Sequence, residues 1–297
     1  MASLYIQALI DGLLLGGVYA AIGMGLSLAY GVMGVVNWAH GEVLMVSMFI
    51  SYYSVKLLGI DPYITVLANI IVMAVLGYVL QKFVFNKLLN RGGAAWRDIL
   101  LFTAGLSMAL QALFNMLFGA EVKALTSSDI SPIYSGMLKL GNLYISKPKL
   151  ISFIIAAACC VALYIFIQRT ESGRALRATA QDRNTAQLMG INANVVYCVC
   201  FAVSLALVGL SGGLLSPFYP VTPYVGGVFC FKSFIIVALG GKGNIPGAMI
   251  AGLLVGVIEK LGAVFLSDAF AQIIIFVLFI VILLVKPDGL LVRRKKA

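Results

Sequence analysis

The sequence predicts an all-α, polytopic transmembrane helical bundle of eight or nine spans. Three observations predict it. The 297 residues are 62% hydrophobic and 11% charged, against roughly 45–50% apolar and about 25% charged in soluble domains. The apolar runs repeatedly reach the roughly 20 residues that carry a helix across about 30 Å of hydrocarbon. They are also too long and too uniform for barrel strands, so helices, whose backbone groups pair within the segment, are the expected spanning element.

In chain order the expected spans are Leu4–Tyr30, Trp38–Lys56, Tyr63–Phe85, Asp98–Phe118, Leu150–Gln168, Val195–Ser216, Val225–Gly240, Pro246–Leu266 and Ala269–Val285. The first lacks the basic lead of a cleavable signal and reads as a retained helix. The count turns on two places. Apolar residues continue through the polar-dotted patch Gly31–Glu42, and Val225–Gly240 is short and carries Lys232. Small residues recur four apart at Gly12/Gly16, Gly209/Gly213, Gly243/Gly247 and Gly252/Gly256, a spacing that lets helix backbones approach closely in lipid.

Orientation follows from the basic clusters. Lys82, Lys87, Arg91 and Arg97, the segment 169–194, and Arg293, Arg294, Lys295 and Lys296 are all expected inside by the positive-inside rule. The uncharged first residues then lie outside if the spans number nine. Residues 119–149 become a long external connection, with turns at Pro132 and Pro148 and alternation around Leu138, Leu140 and Leu143 that suggests a short hairpin. The three Pro of Ser216–Pro223 exclude a helix interior there, and Pro246 opens a helix after the internal turn Gly240–Gly247. The whole chain, 1–297, reads as one transmembrane domain.

The net charge of +10 therefore points to inside loops and not to nucleic acid. Cys159, Cys160, Cys198, Cys200 and Cys230 all lie in apolar runs and read as small buried hydrophobes. A single His makes a zinc site improbable. No phosphate-loop motif, nucleophile elbow or HExxH pattern occurs, so neither nucleotide hydrolysis nor a recognisable enzyme chemistry is expected of this chain, and no cofactor is called for.

The long polar stretch Thr170–Asn194 is the main functional candidate. Thr170 is placed to cap a short amphipathic helix, Gly173–Gln181, with Leu176 and Ala180 on one face and Arg174 and Arg177 toward the other. Asp182 is placed to cap a second, Arg183–Met189, ended by Gly190 in the left-handed conformation. Leu188, Met189 and Ile191 add an apolar cluster that free solvent disfavours. A second candidate is Asn37, His40 and Glu42, polar groups at membrane depth or at its inner boundary, read either as a gate or as a cross-linked break between spans. A third is Glu259, a membrane-depth acid that needs a partner, with Asn115, Gln111 or Lys232 available.

Four segments in order, Gly25–Met45, Thr170–Asn192, Ala238–Glu259 and Lys286–Leu291, resemble the permease subunits of branched-chain amino acid ABC importers. The form Asn-Trp-Ala-His-Gly-Glu at Asn37–Glu42 resembles the H-type subunit, while Trp38 and Lys242 depart from the usual wording. The resemblance implies a type II-like importer permease in the bacterial inner membrane. It implies an M-type permease partner, two cytoplasmic ATPase subunits, and a periplasmic binding protein delivering leucine, isoleucine or valine. It also implies that Thr170–Ile191 docks on an ATPase, with Glu171, Gly173, Arg174, Arg177, Asp182, Arg183, Leu188, Met189, Gly190 and Ile191 as coupling residues. Urea and short-amide importers share the permease pattern, and an ion-coupled secondary transporter is the reading from a different class.

Overall fold

The computed structural model describes residues 2–90, 95–126, 129–131, 134–140, 143–265, 267–286 and 289–290, with the backbone alone for Ala2, Leu140 and Asp268. Arg91, Pro132, Leu266, Pro287, Asp288, Leu291 and the basic residues Arg293, Arg294, Lys295 and Lys296 lie outside the described residues. Each expected span has its helix. They are α1 (Ala2–Met33), α2 (His40–Leu58), α3 (Pro62–Leu80), α5 (Ala95–Phe118), α6 (Lys147–Arg169), α9 (Ala193–Leu215), α10 (Val225–Gly240), α11 (Ile245–Phe265) and α12 (Asp268–Val285). Seven are long and apolar enough to cross a membrane; Val225–Gly240 and Ala269–Val285 are shorter apolar helices. α3 runs on through a π-helical turn, Gln81–Phe85, into the short α4 (Asn86–Leu89).

The bundle is held by backbone-to-backbone approach. α1 and α11 run antiparallel with their glycines interlocked: a Cβ on Gly256 would lie 2.5 Å from the Gly16 Cα, and one on Gly16 would lie 2.8 Å from the Leu253 Cα. A Cβ on Gly209 would meet the Asn69 carbonyl at 2.6 Å, and one on Gly77 the Phe201 carbonyl at 2.9 Å, so α3 lies equally close on α9. In lipid, where apolar surface gains little by leaving one hydrocarbon for another, such contact replaces the hydrophobic drive of a water-soluble core. Buried hydroxyls complete the seams. Ser47 donates to the Gly209 carbonyl at 2.6 Å, Ser204 to Gly25 at 2.7 Å and Ser152 to Leu214 at 2.9 Å.

The two ends of the bundle differ. At one end, strands β1 (Met137–Leu140) and β2 (Leu143–Ser146) form an antiparallel hairpin pairing Leu138 with Ile145. The hairpin is fixed to α1 because the Gln7 amide meets Tyr144 through both its carbonyl and its N–H, and Lys149 pairs with Asp11 at 2.9 Å. Lys56 at the end of α2 holds Asp129 at 2.7 Å, and Lys123 bridges to Val221. At the other end sit α7 (Glu171–Gln181), α8 (Arg183–Leu188) and the turn around Gly243, whose Cα a Cβ on Gly31 would approach to 2.5 Å.

Candidate functional site

The two-helix knob forms as its sequence dictates. Thr170 Oγ1 accepts the Gly173 N–H at 3.0 Å and so caps α7, which begins at Glu171, earlier than the expected Gly173. Asp182 accepts the Asn184 and Thr185 N–H groups at 2.8 and 3.2 Å and caps α8. The Thr185 hydroxyl and these amides hold its carboxyl below the usual carboxylate range. Gly190 stands at φ +84°, the left-handed conformation expected after α8.

The knob is seated on the bundle through α7. Gly173, Leu176 and Thr179 form its buried face, a spacing of three that carries Thr179 inward and leaves Ala180, expected beside Leu176, exposed. Gly173 is tight against the last turn of α6, where a Cβ would collide with the Ile167 and Phe166 carbonyls. Arg177 is half-buried, because its guanidinium donates to that same Ile167 carbonyl and serves the capping of α6. Arg183 donates to Asn90 Oδ1 at 2.7 Å and lies over the Tyr197 ring at 5.5 Å, tying α8 to the ends of α4 and α9. Left outward are Glu171 and Arg174, paired at 3.4 Å, and the tips Leu188 and Met189, 88% and 79% exposed. Ile191, in contrast, packs against the core.

The second candidate is a re-entrant stretch. α1 ends at Met33, and Gly34 at φ +66° turns the chain back with its N–H on the Tyr30 carbonyl at 2.9 Å. Residues 34–39 then climb into the bundle as irregular backbone, and α2 starts at His40, which sits against the Ile22 carbonyl at 3.2 Å. At about 1.5 Å per helical residue, Ile22 lies about 13 Å along α1 from Gly31, so α2 begins well back from the end of α1. The break itself was expected between Tyr30 and Trp38, where Gly34 and Asn37 interrupt an apolar run; what the sequence does not show is how far the chain turns back before α2 begins.

Irregular backbone among spanning helices must be covered by protein. Asn37 Oδ1 accepts the Ala39 N–H at 3.0 Å, Thr103 Oγ1 accepts the Trp38 N–H at 3.1 Å, and the Cys230 thiol meets the Trp38 carbonyl at 3.1 Å. Since a carbonyl only accepts, His40 carries its proton on Nε2, and its Nδ1 has no partner among the described residues. Glu42 is 2% exposed; its Oε1 accepts the Ser107 hydroxyl at 3.3 Å, and its Oε2 lies over Gly226, where a Cβ would not fit. Gly41 is equally tight against α10, so α2 and α10 touch through glycine at both Gly41 and Gly226.

Glu259 finds Lys232, not Gln111 or Asn115. The ammonium lies 2.8 and 2.9 Å from the two carboxylate oxygens and 2.7 Å from the Tyr19 hydroxyl, which also donates to Glu259 at 3.2 Å. The charged side chains are only 7% and 12% exposed, and Lys232 lies over the Tyr19 ring at 4.7 Å. This cluster binds α1, α10 and α11 together. It lies close to the Asn37–Glu42 stretch, since Tyr19 is one turn along α1 from Ile22, whose carbonyl His40 meets, and Lys232 is two residues from Cys230, whose thiol meets the Trp38 carbonyl.

A family described as the permease component of branched-chain amino acid transport systems matches residues 8–283. Similar proteins include the high-affinity branched-chain amino acid transport system permease protein BraD of Pseudomonas aeruginosa, 34% identical over 97% of this chain and 96% of its own. The corresponding LivH protein of Escherichia coli K12 is 33% identical over the same shares. A probable LivM permease of Methanocaldococcus jannaschii is 28% identical over 51% of this chain and 53% of its own.

Proposed function

The chain belongs to the family of permease components of branched-chain amino acid transport systems, and from that premise we propose that it moves leucine, isoleucine and valine inward as one half of an ABC importer. It is a multi-pass membrane subunit and not itself an enzyme. Its other half is an M-type permease, a kind of protein to which this sequence is also similar. Two ATPase subunits on the cytoplasmic side power it, a binding protein on the opposite side delivers substrate, and the whole resides in a bacterial inner membrane. The hairpin end faces outward and the α7–α8 end inward, which keeps Lys82, Lys87, Arg97 and Arg174 on the cytoplasmic side.

One observation carries the coupling role. α7 is anchored to α6 by Gly173 and Arg177 and α8 to α4 and α9 by Arg183, while Leu188 and Met189 protrude into solvent. A rigid root with an exposed apolar tip suits a lever. Glu171, Arg174 and Asp182 rim the contact with the ATPase, Leu188 and Met189 fill its groove, and Gly190 and Ile191 return the motion to α9. Closing of the ATPase pair then tilts α6 and α9, and the Asn37–Glu42 stretch with Glu259 at the α1–α10–α11 junction sets the two positions of the gate. A shift of this kind needs contacts that differ between its end states.

The test is reconstitution. Vesicles with all subunits and ATP are expected to accumulate leucine and to stop when the ATPases are omitted. Accumulation by this chain alone, or protease access to Arg177 from the extracytoplasmic side, would overturn the reading.

A further inference from the structure

α5 carries a polar ladder that the packing of the subunit does not use up. Thr103, Ser107, Gln111 and Asn115 recur at every fourth position, which on a 3.6-residue helix keeps them on one slowly turning stripe. The lower two are committed, Thr103 to the Trp38 N–H and Ser107 to Glu42. The upper two are half-exposed, and their side-chain amides make no hydrogen bond to any described residue.

The packed side of α5 is fixed by Phe114 and Phe118, whose rings both lie 5.1 Å from that of Phe49 on α2. Its lipid side is marked by Met108 and Met116, 73% and 83% exposed. Gln111 and Asn115 fall between the two, on an open flank of the α2–α5 seam. A primary amide in hydrocarbon with nothing to bond is costly, so this flank faces water or polar groups. At its foot Glu42 Oε2 is buried without a hydrogen-bond partner among the described residues. Val46 and Ile50 are half-buried on α2, one and two turns past Glu42 on the same face of that helix.

We propose that this flank is the subunit's wall of the substrate path, with Asn115, Gln111 and Glu42 as successive contacts for the charged end of a zwitterionic amino acid. This rests on the proposed function and names the residues that read the substrate. Amides both donate and accept, so they suit an ammonium and a carboxylate alike, while the buried Glu42 carboxylate selects the ammonium. The rungs are about 6 Å apart along the axis, short enough for one contact to form before the last is released. The side chain of leucine, isoleucine or valine travels along Val46 and Ile50.

The experiment uses the assembled importer. Gln111→Cys and Asn115→Cys are treated with a charged, membrane-impermeant thiosulfonate, with Met116→Cys as the lipid-facing control and the native chain, whose cysteines are all buried or half-buried, as background. Both ladder positions are expected to react and to be protected by leucine-loaded binding protein, while position 116 stays silent. The double variant Gln111→Leu/Asn115→Leu is expected to lose leucine uptake at least tenfold while still co-purifying with its partners. Unreactive cysteines, undiminished uptake in the double variant, or loss of assembly, which would make the amides a contact to the partner permease, each overturn the proposal. A wild-type complex that accumulates none of the three amino acids overturns the proposed function instead, and the labelling still decides whether this flank lines a watery path.

Discussion

Gly173 and Gly190 bracket the same knob, yet their side chains are missing for different physical reasons. At Gly173 the backbone is ordinary and the space is absent, since a Cβ would strike the Ile167 and Phe166 carbonyls. At Gly190 the space is open and the backbone is special, because nothing lies within 4 Å and φ is +84°. Gly173→Ala is therefore expected to pry α7 from α6, whereas Gly190→Val is expected to cost about 1–2 kcal/mol through its dihedral alone, with Gly190→Asn milder. ATP hydrolysed per leucine taken up should rise in Gly173→Ala and Gly190→Val and stay near wild type in Gly190→Asn. The Glu259 site gives a second expectation. Glu259→Ala leaves the buried Lys232 without its counter-charge, a loss on the order of 3–5 kcal/mol, while Lys232→Met/Glu259→Leu removes both charges and should unfold in detergent at a higher temperature than the single variant. At this scale the sequence was partly legible. Caps such as Thr170 and Asp182 act within a few residues and could be read directly, but the partner of Glu259 sits on another helix, and three candidates looked alike until α10 was placed beside α11.

The helices show the same division between local and distant information. Length and hydropathy announced each span, and the four-residue glycine spacing announced close approach, yet nothing in the spacing said that Gly12 and Gly16 face Gly252 and Gly256. That pairing is expected to be unforgiving. Gly256→Leu must displace the backbone of α1 near Gly12 and Gly16 and should abolish accumulation of the protein in the membrane, while Gly105→Leu, with nothing within 4 Å, should accumulate normally by immunoblot. The break at 34–39 was legible, but not the course of its backbone. Its apolar residues satisfy the hydropathy of a span, while hydrogen bonds from the Ala39 and Trp38 N–H groups to Asn37 Oδ1 and Thr103 Oγ1 replace those a helix would have made. The connection 119–149 is tied by charge at Asp129. Hydrogen bonds first from Lys56 and then from Thr126 draw the Asp129 carboxyl from its ordinary 3.8 down to about 2. Because the folded value lies below the unfolded one, the tie is complete above about pH 4 and is lost as the pH falls through about 2. Pepsin cleavage within 119–149, measured relative to Asp129→Asn at the same pH, should accordingly be low at pH 4 and rise toward that of the variant at pH 2.

For the whole molecule, the question is why a chain so sparing of charge places a water-exposed apolar tip beyond its last buried turn. Leu188 and Met189 contribute almost nothing to the fold of this subunit, since both are largely exposed and neither adds to the core. A large apolar tip of this kind, carried on a basic surface, is what a partner's groove would cover. The two demands separate cleanly in one variant. Leu188→Glu/Met189→Glu is expected to leave the thermal unfolding of the purified permease pair within about 0.5 kcal/mol of wild type, as surface changes do. The same variant should fail to retain the ATPase subunits on co-purification and should lose ATP-driven uptake. Ala186→Glu, two positions before Leu188 but 4% exposed, should instead destabilise the pair itself, because its side chain faces the bundle. If the tip variant kept its ATPases, the knob would be a solvated connection between α6 and α9, and the lever would have to lie elsewhere on the molecule.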